Sequence, residues 1–149
     1  MRYSKNKLLI DNIIVDKIIK QFGSPTYCYS YNQLKMNINR FKKNFSRINP
    51  LICFAVKANN NSRILNEIAR LGIGADVVSK GELMAALKSK IHPNRIVFSG
   101  VGKTRKEIEY AIKKKIFLIN TESHSEIEAI LKIAKKINKV IDIGIRLNP

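Results

Sequence analysis

The chain has 149 residues, 45% of them hydrophobic, which is enough for one domain of ordinary size with an apolar core. Its 28 Lys and Arg residues against 11 Asp and Glu give a net charge of +17, a balance often found in proteins that bind nucleic acids or membrane surfaces. However, 20 of the 28 are Lys, and 24 Ile and 15 Asn accompany them, which indicates a compositional bias rather than a phosphate-binding patch. No zinc-finger or RNP spacing occurs, so neither a specific nucleic acid nor a membrane is expected as a partner.

The two cysteines, Cys28 and Cys53, lie far apart in apolar stretches, without a C-x-x-C pair or a histidine at ligand spacing. Both are therefore predicted to be reduced thiols in a core, and no metal site is predicted. Asp11 and Asp16 interrupt any signal-peptide core near the amino terminus. Since no run of about 18 uncharged apolar residues occurs either, a cytoplasmic protein is expected.

Up to residue 50 the pattern predicts short, separate elements. "KLLI" favours a short strand, "DNIIVDKIIKQF" an amphipathic helix that ends at Gly23, and "TYCYS" a second strand. "YNQLKMNINRFKKNF" then has Leu34, Ile38, Phe41 and Phe45 at helical spacing, which predicts a longer helix.

From residue 51 onward, short apolar runs alternate with helical patterns. The runs are "ICFAVK", "IGADVVS", "RIVFSG", "IFLIN" and "VIDIGIRL", and they recur about every 19 to 25 residues. Such alternation is the signature of βαβ units and a parallel sheet. Three of the intervening helices begin with the capping-box pattern S/T-x-x-E, at Ser79, Thr104 and Ser123.

Five βα units fit two α/β architectures. One is an open, doubly wound sheet of five strands, and the other is the amino-terminal part of a (β/α)8 barrel, which needs eight strands and typically about 250 residues. No glycine-rich turn follows the first strand, as a nucleotide-binding doubly wound sheet would require. "SGVGKT" resembles a phosphate-binding loop but has Val97 where the first glycine is needed, so Lys103 is interpreted as a solvated loop residue.

Strand alternation singles out a candidate site. Lys57 ends the first apolar run after residue 50 and shares a strand face with Ala55. A lysine on an inner face loses solvent and becomes a neutral amine able to form a Schiff base. By the same alternation, Asp76 and Arg146 point inward from two other strands. The three side chains could surround one cavity at the carboxyl ends of the strands, with Ala55 and Gly144 leaving room for a flat ligand.

The motifs "FAVKAN", "GADVVSKGEL", "RIVFSGVGKT", "NTESHSEIEAI" and "IRLNP" occur in this order. In sequence and spacing they resemble the diaminopimelate decarboxylase family, pyridoxal-phosphate enzymes of the alanine-racemase-like barrel class that are related to ornithine and arginine decarboxylases. The resemblance runs from about residue 8 to the end. It implies an α/β fold, a partial (β/α)8 barrel of about five units, as the amino-terminal part of such an enzyme.

The resemblance also implies roles for individual residues. Lys57 matches the lysine that binds pyridoxal 5'-phosphate, Ala55 a small residue packed against the cofactor, Asp76 an acid beside the lysine, and Arg146 an arginine near the cofactor's ring oxygen. The expected catalytic residues are thus Lys57 and Asp76, and the expected cofactor-binding residues are Lys57, Ala55 and Arg146. The family's phosphate loop and carboxy-terminal β-domain have no counterpart here, so this segment alone is expected to be inactive.

The implied organisation is an amino-terminal segment, residues 1–30, that associates with the β-domain in complete relatives, and an incomplete cofactor-binding barrel, residues 31–149. The expected partners are a small amino-acid substrate, a second subunit, since complete relatives are homodimers, and a complementary carboxy-terminal fragment. Two alternatives remain open. One is a cofactor-carrier protein of the same barrel superfamily, and the other is a non-functional remnant.

Overall fold

A left-handed Asn49, at φ 44° and ψ 59°, precedes Pro50 at the point where the chain divides into two units, Met1–Asn49 and Pro50–Pro149. The structure is a computed structural model, and it describes residues 1–147. The last two residues of the motif "IRLNP" lie outside this described part. This division separates two compact units and does not test the expected boundary at residue 30. The expected association of residues 1–30 with a β-domain stays a prediction.

The first unit begins with a three-stranded antiparallel sheet. Its strands are β1 (Arg2–Ser4), β2 (Lys7–Ile10) and β3 (Ile13–Ile14). Two-residue turns join them, Lys5 with Asn6 and Asp11 with Asn12, and all four residues have positive φ. Such turns match the right-handed twist of the strands they connect. The predicted strand "KLLI" is confirmed, whereas β1 and β3, which depend on these turns, were not predicted.

Two helices complete the first unit, α1 (Val15–Phe22) and α2 (Tyr31–Asn44). The predicted helix over residues 11–22 therefore starts four residues late, because the last strand of the sheet occupies its first turn. The Oγ of Ser30 caps α2 by accepting a hydrogen bond from the amide of Gln33. Asp11 in turn accepts bonds from the Ser30 hydroxyl (2.7 Å) and the amide of Asn32 (3.2 Å), and so ties the hairpin to the start of α2.

The predicted strand "TYCYS" is wrong. Residues 26–30 form no strand, Tyr27 is 94% exposed, and Cys28 is exposed rather than part of a core. The alternation of polar and apolar side chains is that of a strand, but a strand also needs a partner for its backbone groups. None of the described strands pairs with this segment.

The second unit consists of alternating strands and helices. Its strands are β4 (Cys53–Ala55), β5 (Gly74–Val77), β6 (Ile96–Phe98), β7 (Leu118–Thr121) and β8 (Ile143–Ile145). Its helices are α3 (Ser62–Arg70), α4 (Lys80–Lys88), α5 (Arg105–Lys113) and α6 (His124–Lys136). Four of the strands lie inside their predicted apolar runs, and β7 extends one residue beyond "IFLIN", to Thr121.

Strand order decides between the two architectures. The order in the sheet is β4-β5-β6-β7-β8, the same as in the chain, and all neighbours are parallel. A doubly wound sheet reverses its strand order at a switch point, which sends helices to both faces. No reversal occurs here, so successive right-handed crossovers place their helices on one face. The second unit is therefore an arc of a (β/α) barrel.

All three predicted helix caps form. The hydroxyls of Ser79, Thr104 and Ser123 accept hydrogen bonds from the amides of Glu82, Glu107 and Glu126. Only Glu107 closes the box on the amide of its own cap residue, at 3.0 Å. The other two carboxylates reach one residue further back, to the amides of Val78 and Glu122. No helix within residues 1–147 is long and apolar enough to cross a membrane.

Candidate active site

Burial distinguishes the two faces of the barrel sheet. Successive residues of a strand point to opposite sides, and the helix-covered side consists of side chains that are completely buried: Ala75, Val77, Ile96, Phe98 and Ile119. Asp76 and Asn120 lie on the other side and are only half-buried. Asp76 and Asn120 thus lie on the face that a complete barrel would enclose, and enzymes of this architecture bind their ligands at the carboxyl end of that barrel.

Lys57 lies at the carboxyl end of β4 but outside the strand. Residues Val56–Ala58 form a 3-10 turn, closed by a hydrogen bond of 3.0 Å from the amide of Asn59 to the carbonyl of Val56. Val56 is completely buried, whereas Lys57 is exposed. The predicted desolvation of this lysine is therefore wrong, because strand alternation stops where the turn begins. Its position at the end of the strand agrees with the prediction.

Asp76 lies on the strand next to the Lys57 turn, in register with Ala55. Its Oδ1 is buried and has no hydrogen-bond partner within residues 1–147. A buried carboxylate oxygen without a partner costs about 1–3 kcal/mol, so native proteins rarely keep one without a reason. Since Ala55 beside it is small, the arrangement fits a group that brings a proton donor or a positive charge to Asp76.

The Asp76 carboxylate also acts on Cys53. Burial first and the negative charge of Asp76 second raise the pKa of the Cys53 thiol to about 11, and the positive charge of Arg95 opposes them. The thiol is therefore protonated at neutral pH and unreactive as a nucleophile. The interpretation as a reduced core thiol holds for Cys53, which is half-buried, although it is wrong for Cys28.

Arg146 directly follows β8, and its amide donates to the carbonyl of Thr121 at 3.0 Å. Its guanidinium lies 3.3 Å from Oε1 of Glu122, which follows β7. The Glu122 side chain is 16% exposed and that of Arg146 51%. The arginine is thus anchored at the carboxyl ends of the strands, as predicted, but by a partner that was not predicted. The sequence contained one indication of this partner. Glu122 is two residues after Asn120, so strand alternation places both side chains on the same face.

The space above Gly144 is filled. A Cβ at this glycine would lie 2.3 Å from Oδ1 of Asn120, whose amide nitrogen donates to the hydroxyl of Ser99 at 2.9 Å. The prediction that Gly144 leaves room for a flat ligand is therefore wrong, because the glycine accommodates a neighbouring amide. The role expected of Ala55, at the other end of the sheet, stays a prediction.

Lys103 also differs from its prediction as a solvated loop residue. Its side chain is completely buried, and its ammonium lies 2.9 Å from Oε1 of Glu126. By contrast, His92 and His124 are exposed. No group of three or more His, Cys, Asp or Glu within the described residues could hold a metal ion.

Of the predicted site residues, Ala55 and Asp76 lie on strands, whereas Lys57 and Arg146 follow theirs. Strand pairing makes the Lys57 turn and Asp76 direct neighbours, on β4 and β5, and places Arg146 after β8, at the opposite edge of the five strands. Because all strands of this sheet are parallel, their carboxyl ends lie at the same edge, and the three side chains belong near that edge. A barrel arc with a lysine, an unpaired acid and an anchored arginine along this edge has the layout of a barrel enzyme's ligand site.

Comparison with known proteins specifies the class. Residues 31–149 match the family model "Pyridoxal-dependent decarboxylase, pyridoxal binding domain". The chain therefore belongs to the family of pyridoxal-dependent decarboxylases.

Its relatives include curated diaminopimelate decarboxylases. The protein from Aquifex aeolicus is 41% identical over 149 residues, and that from Haemophilus influenzae is 40% identical over 148 residues. Among solved structures, diaminopimelate decarboxylase from Helicobacter pylori in complex with L-lysine is 42% identical, with a TM-score of 0.87 over 91% of this chain. The enzyme from M. jannaschii in complex with L-lysine is 35% identical, with a TM-score of 0.95 over 99% of the chain.

The chain matches only part of these relatives. It covers 35% of the Aquifex aeolicus protein and 36% of the Haemophilus influenzae protein, and 34% and 36% of the two solved chains. The family and the barrel fold are thus those expected from the sequence, and the matched segment corresponds to an amino-terminal third.

Proposed function

We propose that the chain contributes the amino-terminal part of a diaminopimelate decarboxylase, which converts meso-2,6-diaminopimelate to L-lysine and CO2 with pyridoxal 5'-phosphate. The observation that carries the proposal is the buried, unpaired Oδ1 of Asp76 on the strand beside the Lys57 turn. The relatives named above support the substrate, since they are diaminopimelate decarboxylases and two of them were solved with L-lysine.

The residues of the site fit the cofactor. Lys57 is exposed at the end of β4, so its amine is accessible to the aldehyde of pyridoxal phosphate. When bound, the cofactor supplies the electron sink for decarboxylation. The unpaired oxygen of Asp76 would accept a hydrogen bond from a cationic nitrogen of the bound group, and its negative charge would stabilise that cation, since an opposite charge within about 4 to 6 Å favours the ionised form. Ala55 leaves space beside it.

Arg146 supplies positive charge at the same edge of the sheet. Because Glu122 holds one side of its guanidinium, the remaining N–H groups keep a defined direction and can donate to an oxygen of the cofactor. The carrier protein considered as an alternative has no observation in its favour, since the matching family and the reported relatives are decarboxylases.

A chimeric enzyme tests the proposal. The 149 residues replace the matching 35% of the Aquifex aeolicus diaminopimelate decarboxylase, to which they are 41% identical. CO2 released from labelled meso-diaminopimelate and the absorbance of bound cofactor are then measured. We expect the chimera to bind the cofactor and to release CO2.

Two lysine variants make the test specific. Lys57→Ala removes the proposed attachment point and should abolish both covalent cofactor binding and CO2 release. Lys88→Ala, at the exposed end of α4, should retain both. A chimera that binds the cofactor but releases no CO2, or a Lys57→Ala variant that retains turnover, would contradict the proposal.

The homodimer, the complementary carboxy-terminal fragment and the cytoplasmic location stay predictions. Gel filtration of the chimera with and without cofactor measures its oligomeric state and so tests the homodimer.

A further inference from the structure

A buried ion pair joins a loop to the start of a helix near the carboxyl edge of the sheet. The ammonium of Lys103, in the loop between β6 and α5, contacts Oε1 of Glu126 at 2.9 Å and donates to the carbonyl of Gly100. It also lies 5.7 Å from the ring centroid of Phe98. The Lys103 side chain is 0% exposed and that of Glu126 11%. The pair thus joins the loop after β6 to the first turn of α6.

An ion pair that joins the loop to the helix in this way has a large desolvation cost. Removing two charges from water costs several kcal/mol per ion, and apolar residues of similar volume often replace such pairs without loss of stability. A buried ion pair therefore needs a reason other than stability. Orientation of other polar groups is one such reason, because a fixed carboxylate has two oxygens with directional bonds.

The second oxygen of Glu126 leads to the candidate site. Oε2 accepts a hydrogen bond of 2.8 Å from the amide of Glu122. The carboxylate of Glu122 then pairs with the guanidinium of Arg146 at 3.3 Å. Successive contacts therefore connect Lys103, Glu126, Glu122 and Arg146. Lys103 follows β6, the two glutamates follow β7, and Arg146 follows β8.

We propose that Lys103 is a positioning residue, which holds Arg146 in its ligand-binding orientation through Glu126 and Glu122. Without the ammonium, the buried Glu126 carboxylate turns toward solvent and releases the amide of Glu122. Glu122 then no longer restrains the guanidinium. The inference rests on the proposed function only for the identity of the ligand that Arg146 binds. The chain of contacts from Lys103 to Arg146 is present in the protein without a ligand.

The first test needs no cofactor. In the chain alone, Lys103→Met should raise the hydrogen-exchange rate of the Glu122 amide by about tenfold or more, since a lost hydrogen bond to a charged group is worth about 1.5–3 kcal/mol. The Nε–H resonance of Arg146 should broaden or shift. Lys106→Met is the matched control, because Lys106 lies three residues away and is exposed. It should change neither signal.

The second test asks whether Lys103 and Arg146 act together on cofactor affinity. In the parent chimera, Arg146→Ala should weaken binding of pyridoxal phosphate about tenfold, as expected for one charge-assisted contact. In a Lys103→Met background the same change should cost less than about twofold, because the arginine is already released. A merely structural role of Lys103 predicts the same tenfold loss in both backgrounds.

A further variant guards against misfolding. Lys103→Met combined with Glu126→Met removes both charges and leaves no buried carboxylate unpaired, which preserves stability better than the single change. The effect of Arg146→Ala should be small in this background as well. A tenfold loss in every background, or unchanged Glu122 and Arg146 signals in Lys103→Met, overturns the proposal. If the parent chimera binds no cofactor, the proposed function fails, and the exchange measurements still decide the role of Lys103.

Discussion

One carboxylate serves the amino-terminal ends of two helices, which makes Glu107 a sensitive position. Its Oε2 accepts bonds from the amide and the hydroxyl of Thr104, the cap of its own helix α5, at 3.0 and 2.8 Å. Its Oε1 accepts a bond of 2.9 Å from the amide of Lys80, the first residue of α4. We predict that Glu107→Ala loosens both helix starts.

The magnitude follows from the two backbone bonds. A side-chain cap at a helix start is worth about 1 kcal/mol, so two of them give about 2 kcal/mol. Each amide loses one of the two bonds, which corresponds to about a fivefold rise in the opening equilibrium of the Lys80 amide and of the Thr104 amide. Native-state hydrogen exchange, followed residue by residue, measures this opening directly.

Glu109→Ala is the matched control. Glu109 lies on the same helix and is paired with Lys113 one turn further on, so its removal should leave the Lys80 and Thr104 amides unchanged. Equal effects of the two substitutions would refute the assigned role of Glu107.

The effect of Glu107 should also depend on pH. The backbone bonds from Lys80 and then Thr104 hold the pKa of the Glu107 carboxyl below its usual range. A lowered pKa in the folded state means that the stabilisation is present above the usual value and is lost as the pH falls through the lowered one. The difference between parent and Glu107→Ala in amide protection should therefore shrink at low pH. A difference that persists well below the usual carboxyl pKa would contradict the electrostatic part of the explanation.

Two further predictions concern close packing and thiol reactivity. Gly100→Ala should lower the urea midpoint and the free energy of unfolding, the latter by about 1–3 kcal/mol, because the added Cβ would lie 2.3 Å from a backbone carbonyl oxygen. Gly102→Ala, whose added Cβ would have no atom within 4 Å, should change the midpoint little. Similar midpoints for the two variants would contradict this explanation. Cys53 should resist iodoacetamide at pH 8 because its thiol pKa is raised to about 11, and Asp76→Asn should speed its alkylation by removing one cause of that rise, as mass spectrometry of the modified peptide can show. An unchanged rate would argue against the influence of Asp76.

Features that depend on neighbouring residues in the chain were predictable. The five βα units follow from the spacing of apolar side chains, and each strand of the second unit coincides with its predicted run to within one residue. The three caps follow from S/T-x-x-E patterns, because the cap and its acid are only three residues apart. Recognition of the family likewise depended on short motifs in a fixed order. It is supported by the match over residues 31–149.

Features that depend on distant residues were not predictable from these patterns. "TYCYS" alternates like a strand, but no described strand pairs with it. Lys57 continues an apolar run, but a turn ends the strand two residues earlier and leaves the lysine exposed. Lys103 lies in a glycine-containing loop that looks solvated, yet Glu126, 23 residues further on, makes its burial possible.

The choice between a doubly wound sheet and a barrel has the same character. Both architectures use the same alternation of strands and helices, so spacing along the chain does not distinguish them. Strand order does, and it depends on which backbones pair across the sheet. Local sequence was thus sufficient for the elements, their caps and the family. Pairing in space decided the architecture, the burial of the two lysines and the anchoring of Arg146, because each depends on groups that only folding brings together.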